Sequence, residues 1–251
     1  RIKGETPEEM CGFLDATHQR LAKLPATSRP TIVLPSYNGA RKLPVLTPLL
    51  ALLLAREGFA VLLHGMRTEA QRVLASEVLQ RLEVPAWERM QPLAAGQVAH
   101  VATEVLHPGL ARLLAVRQVL GLRTPGHSLV KLLAPCAGPA VLVGSYTHPE
   151  YSGLMRDVLI ARQMTGLLSR GLEGEVVCDP RRQPRYDAVW QGQAYCVAEQ
   201  QAGTLAAVPG LPQAIDAQTT ADYTRAVLAG QLPVPQAVAA QVAHITALAQ
   251  R

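Results

Sequence analysis

Several side chains able to take part in chemistry fall where an apolar run gives way to turn residues. Pro35-Ser36-Tyr37-Asn38-Gly39-Ala40-Arg41-Lys42 follows the run Thr31-Ile32-Val33-Leu34. In α/β proteins such a strand-to-helix loop is a customary seat for phosphate groups. One glycine, with prolines at Pro35 and Pro44, leaves it few backbone N–H groups in the conformations that cradle an anion. Its clearer offer is the cation pair Arg41 and Lys42, and phosphate contact and a solvated turn both stay open. His64-Gly65-Met66-Arg67 closes a second apolar run. His64 reads there as a structural hydrogen-bonder and Arg67 as the reinforcement of a positive crevice, and neither loop carries an acid to hold magnesium. Thr147-His148-Pro149-Glu150-Tyr151 puts a histidine and a carboxylate on one loop. That pairing suits general acid–base work beside a substrate, but a carboxylate in the first turn of a helix also simply complements the helix dipole. No Gly-x-Ser-x-Gly, His-Glu-x-x-His, Walker or dinucleotide-binding pattern occurs.

These loops need a scaffold, and the apolar pattern supplies one. Thr6 to Leu24 reads as a helix with Thr6 as N-cap, Pro7 at its first position and Glu9 completing a capping box. The strand at 31–34 is followed by a Leu-rich helix from Thr47 to Arg56, a strand at 59–63 and a helix from Thr68 to Leu82. Strand and helix alternating at this spacing signal a parallel sheet. Pro85 to His107 is a long connection whose pieces the pattern does not place. A helix from Gly109 to Leu120 comes next, then a short one from His127 to Leu133, a strand at 139–144 and a helix from Pro149 to Met164. Gly166 to Gly171 leads toward a further strand, and residues 175–210 fit the last strands or a hairpin. Helices from Thr220 to Leu228 and from Pro235 to Ala249 close the chain.

Length and composition narrow the classes. With 251 residues, 49% of them apolar and 17% charged, the chain can bury a real core and is neither fibrous nor disordered. The longest apolar stretch, Leu43 to Ala55, is interrupted by two prolines and falls short of the roughly 20 residues that span a bilayer. The polar opening Lys3 to Glu9 is unlike a secretory leader, so a cytoplasmic protein is expected. Cys11, Cys136, Cys178 and Cys196 lie far apart, which argues against a disulfide scaffold or a structural zinc site. The net charge of +5 is unevenly spread. No carboxylate occurs between Glu104 and Glu150, a window holding Arg112, Arg117, Arg123 and Lys131, and Arg170, Arg181, Arg182 and Arg185 form a second patch. Arginine makes up 20 of the 24 cations, and its planar fork suits phosphate oxygens.

In order and spacing, several stretches resemble the anthranilate phosphoribosyltransferase-like superfamily, glycosyltransferase family 3. They are Lys3 to Glu9, His64 to Arg67, Glu77-Val78-Leu79, and Arg123-Thr124-Pro125-Gly126-His127-Ser128 running on to Pro135. Leu34 to Arg41, Ser145 to Tyr151 and Gly171-Leu172-Glu173-Gly174-Glu175 are similar to its YbiB-like branch. The resemblance implies an α/β fold of the nucleoside phosphorylase/phosphoribosyltransferase type, a mainly parallel central sheet flanked by helices plus a smaller helical subdomain. Residues 1–24 with parts of 85–135 would form the small part, and 25–84 with 136–251 the large one. It further implies a helical segment upstream of Lys3 that helps form a dimer, so the chain is expected to be incomplete at its N-terminus.

The departures from the transferases bear on function. Their first-strand loop has consecutive glycines and an Asp that wrap phosphoribosyl pyrophosphate, where this chain has Pro35 to Ala40. Their Asp-Glu pair for magnesium is matched here by Ser145 to Pro149. Departure of pyrophosphate requires a metal or equivalent cations, so transfer is expected to be lost, and the resemblance to the YbiB-like branch implies a homodimer that keeps the fold and binds nucleic acid with little sequence preference, with no cofactor and no metal. Arg41, Lys42, Arg67, Arg123, Lys131, Arg181, Arg182 and Arg185 are expected to touch DNA or other nucleic acid through its phosphates, and Tyr37 and Tyr146 to stack on exposed bases. The alternative is a phosphoribosyltransferase-like enzyme acting on a nucleobase or aromatic amine, with His64, His127 or His148 as acid or base.

Overall fold

The structure is a computed structural model that describes residues 4–251. Arg1, Ile2 and Lys3, the last of these opening the first motif, lie outside the described residues. Helix α1 spans Pro7–His18, and its capping box forms as expected: the Thr6 side chain accepts from the Glu9 N–H, and the Glu9 carboxylate accepts from the Thr6 N–H. Strands β1 (Thr31–Pro35) and β2 (Val61–Gly65) are buried along their whole length, as strands covered on both faces must be. Helix α2 (Thr47–Arg56) joins them. Helix α3 covers only Ala75–Arg81, because Thr68 to Leu74 is spent on a turn that bridges Val73 to Ala40 in place of the expected first helical turns.

The connection that the pattern left unplaced contains two strands, β3 (Ala86–Trp87) and β4 (Val98–Ala102), and the short helix α4 (Thr103–Leu106). Helices α5 (Pro108–Leu120) and α6 (Gly126–Leu129) follow. Then come β5 (Ala140–Tyr146), α7 (Glu150–Ala161) and β6 (Thr165–Arg170). The hairpin β7 (Tyr186–Trp190) and β8 (Gln193–Ala198) and the helices α8 (Ala217–Leu228) and α9 (Gln236–Ala249) end the fold.

The eight strands form one sheet in the order β3-β4-β2-β1-β5-β6-β7-β8, parallel from β3 to β6 and antiparallel at β7 and β8. The expected mainly parallel α/β architecture is therefore present. Alternation of side chains sends Ile32, Leu34, Val61 and Leu63 into a core shared with α2, α3, α8 and α9. Val33 and Leu62 enter a second core on the opposite face, shared with α1, α5, α6 and α7. The chain leaves β1 toward one face and β5 toward the other, and these two strands are neighbours. Ligands of open α/β sheets bind outside the carboxyl ends of strands at such a switch point. In this chain that place is the loop after β1.

Candidate anion site at the carboxyl edge of the sheet

The loop after β1 offers more than its sequence promised. The N–H groups of Asn38 and Gly39 donate to Glu175 Oε1 at 2.8 and 2.7 Å, and those of Arg41 and Lys42 both donate to Glu173 Oε2 at 2.9 Å. The hydroxyls of Ser36 and Thr47 add donations to Glu175 Oε2 at 2.5 and 3.0 Å. The expectation of few available amides is thus corrected. Four converge, and the anions they meet are the chain's own carboxylates. Glu173 and Glu175, to which the sequence reading gave no role, come to this loop from the turn after β6. That turn fits tightly. Gly174 has φ of +90°, and a Cβ there would lie 2.1 Å from Asn38 Nδ2. Glu173 holds a left-handed φ of 52°, which is uncommon for a side chain of its size.

Lys131 stands behind this arrangement. Its ammonium donates to the Gly174 carbonyl at 2.8 Å, with the Ser145 carbonyl at 3.4 Å. Burial pulls its pKa down to about 8, and the nearby charge of Glu175 acts in the opposite sense. It therefore serves as an internal pin, which overturns its expected place among surface contacts to phosphate.

A second carboxylate gathers three arginines. Glu69 accepts from Arg72 at 2.9 Å, Arg117 at 2.8 Å and Arg123 at 3.2 Å. Burial alone would raise its carboxyl pKa, but hydrogen bonds and charge from Arg117 and Arg72 outweigh it and bring the value to about 2. Arg67 is tied down as well, donating to the carbonyls of Glu69, Ala70 and Arg72 and to the Glu77 carboxylate at 2.7 Å. Arg72 joins this cluster to the loop, donating to the Gly39 carbonyl at 3.2 Å and lying 3.9 Å from Glu173.

Beside Glu173 opens a cleft of about 220 Å³ lined by Thr147, Arg170, Glu173, Asp179, Arg182 and Gln200, among others. Of the other expected cations, Arg181 binds Asp179 through two donors, and Arg185 is held between Asp187 and Glu199. The Arg41 side chain is 60% exposed and among the described residues meets a carboxylate only at 3.5 Å, and Arg182 reaches Asp179 only at 3.7 Å. The side chains of Lys42 and Arg170 have no carboxylate partner among the described residues. The sequence reading missed Glu69, Arg72, Glu173 and Glu175 as parts of one site. The one available signal was the stretch Gly171 to Glu175, which carried a resemblance but no role.

The aromatic and histidine expectations change also. Tyr37 is 2% exposed, its hydroxyl bonded to His64 Nδ1 at 2.9 Å and accepting from Thr103 at 3.1 Å, so it offers no face to a base. Tyr146 is buried too. His64 is enclosed between Tyr37 and the Leu133 carbonyl, and burial lowers its pKa to about 4. It is the structural hydrogen-bonder that its place suggested, with no route for acid–base exchange with a substrate.

Magnesium does not fit these residues. Among the described residues no three His, Cys, Asp or Glu side chains gather closely enough to hold a metal ion. The two carboxylates at the loop already accept from six donors, with the Lys131 ammonium close behind. No helix among the described residues is long and apolar enough to cross a membrane.

No family model matches the chain. The uncharacterized protein YbiB of Escherichia coli K12 is 36% identical over 250 residues, which cover 97% of this chain and 78% of that protein. The anthranilate phosphoribosyltransferase of Leifsonia xyli is 29% identical over 242 residues, covering 92% and 68%. The crystal structure of anthranilate phosphoribosyltransferase from Thermus thermophilus matches with a TM-score of 0.73 at 25% identity, over 99% of this chain and 75% of that one. The Saccharomyces cerevisiae enzyme, in complex with PRPP and Mg, matches at 0.70 with 12% identity over 98% and 71%, a likeness of fold alone. Most of the chain of an anthranilate phosphoribosyltransferase is thus reproduced here with its first-strand loop closed by internal carboxylates, and the chain belongs to the family of YbiB.

Proposed function

We propose that this protein binds nucleic acid through the phosphate backbone, with little sequence preference, along the carboxyl edge of its sheet. The observation that carries the reading is that Arg170 and Arg182 line one open cleft while Arg41 and Lys42 sit on the loop whose amides bond Glu173 of that cleft, each of the four side chains having a long carboxylate contact or none among the described residues. Cations left unneutralised on one surface raise the local potential and release counterions when phosphates replace them. Backbone contacts of this kind need neither a metal nor a pocket for a base. The homodimer implied by the family resemblance belongs to the same proposal, since it would present two such edges. Anisotropy of a labelled single-stranded oligonucleotide at two salt concentrations tests it: affinity should fall steeply as salt rises, and binding that is absent at low salt or indifferent to salt sinks it.

A second reading is a phosphoribosyltransferase-like enzyme. The comparisons support it more than they support the first, because the relatives and solved structures whose activity is named are transferases. The filled loop amides and the poor fit to magnesium weigh the other way. A thermal-shift scan with phosphoribosyl pyrophosphate and magnesium separates the two, since a ligand bound at a hundred times its Kd stabilises the fold by about 2.7 kcal/mol. A clear rise in Tm would favour the enzyme.

A further inference from the structure

The loop after β1 has the composition of a finished anion site. Four backbone N–H groups and two hydroxyls point at two carboxylates, and cations flank them: Arg41 at 3.5 Å and Arg72 at 3.9 Å from Glu173, with Lys131 near Glu175. Successive backbone amides arranged in this way favour phosphate oxygens as readily as carboxylate oxygens. A tethered carboxylate, however, acts at an effective concentration of millimolar or more, and an external anion must displace it. The two carboxylates are not equivalent. Glu175 is 1% exposed and bonds four donors, so it belongs to the core of the fold. The Glu173 carboxylate accepts from the Arg41 and Lys42 amides, with the guanidinium groups of Arg41 and Arg72 at 3.5 and 3.9 Å, lies at the cleft, and does so from a left-handed backbone that its residue type disfavours. A residue held in a disfavoured conformation so that its side chain can fill two amides has the arrangement of a stopper.

The geometry points to Glu173 as an internal anionic plug. It keeps an external diphosphate off the amides of Arg41 and Lys42, and its removal turns that end of the loop into a pyrophosphate site. This inference does not rest on the nucleic-acid reading, which uses cations outside the loop amides, and it gives a physical reason why the transferase substrate should bind poorly to this chain.

Glu173→Gly removes the carboxylate and suits the φ of 52°. Glu173→Asn, also at ease in the left-handed region but too short to refill the amides, is read in the same way. Inorganic pyrophosphate is titrated calorimetrically, without magnesium and at low salt, into the wild type, both variants and Glu57→Gln. The last of these removes equal charge from an exposed residue near the amino end of β2. The expected result is binding at least tenfold tighter than wild type, near one site per chain, in whichever Glu173 variant unfolds within a few degrees of the wild type, with no gain in Glu57→Gln. Equal affinity in wild type and Glu173 variants overturns the plug, and so does an equal gain in the control. Because oligonucleotide binding is a separate measurement, failure here leaves the proposed function standing.

Discussion

Glu175 and His64 show how single side chains hold this edge of the sheet together. A buried carboxylate that satisfies two amides and two hydroxyls leaves all four donors, and Lys131, without an anion when it is removed. Glu175→Ala should therefore cost about 3–5 kcal/mol of unfolding free energy, and urea denaturation measures it. A cost under about 1 kcal/mol would mean that water replaces the carboxylate freely. His64 makes a prediction with pH. Its pKa is about 4 when folded, against 6.5 for an unperturbed histidine, so only the unfolded chain takes up a proton as pH falls below 6.5. Stability is complete above that value and is lost between about 6.5 and 4, by roughly 3 kcal/mol for this group. His64→Gln should lower stability at pH 7 and flatten the acid limb by about one proton. An unchanged slope would show that the ring is protonated in the folded state. The cations Arg41 and Lys42 could be read in sequence as residues of interest. Their carboxylate neighbour could not, because Glu173 lies more than 130 positions away and only the fold brings it near.

Elements were legible where local chemistry decides them. The Thr6–Glu9 capping box announced α1, and Thr6→Ala should cost about 1 kcal/mol by loss of the Glu9 N–H bond, measurable by thermal melting. The apolar runs of β1, β2 and β5 were likewise plain. Strand β4 was not, because buried His100 sits in the middle of Val98–Ala102 and breaks the apolar signature. Its pairing with β2 supplies what the local pattern lacks. The start of α3 was misread for a related reason. Thr68 to Leu74 carries helix-tolerant residues, but tertiary bonds from Thr68 to the Tyr37 carbonyl and from Arg72 to the Gly39 carbonyl, with the bridge from Val73 to Ala40, hold it as a turn that Arg67 also staples locally. Gly65 shows the closeness of this packing, since a Cβ there would lie 1.8 Å from the Ser36 carbonyl oxygen. The site depends on that contact, which locks the ends of β1 and β2 side by side.

At the scale of the whole molecule, the parallel sheet decides where charge accumulates. Parallel strands all end on the same edge, so the turns after β1, β2, β5 and β6 come together although the sequence scatters them from residue 36 to residue 175. Alternating strand and helix made the parallel sheet readable from sequence. Which cations would be left over was not, because neutralisation depends on tertiary neighbours: Arg67, Arg123 and Arg185 are consumed by Glu77, Glu69, Asp187 and Glu199, while Arg170 was noticed only as part of a patch. This division predicts the salt dependence of nucleic-acid binding. Replacing Lys42, Arg170 and Arg182 together by Ala should lower the slope of log affinity against log salt by about 2, since each phosphate contact on a single strand contributes roughly 0.7. Arg185→Ala should leave the slope nearly unchanged, because its charge is already spent on Asp187 and Glu199. Anisotropy titrations across a salt series separate the two variants. Equal slopes for the triple variant and the wild type would place the nucleic acid elsewhere on the surface, whereas a large effect from Arg185 alone would mean that the bound strand breaks that arginine away from its carboxylates.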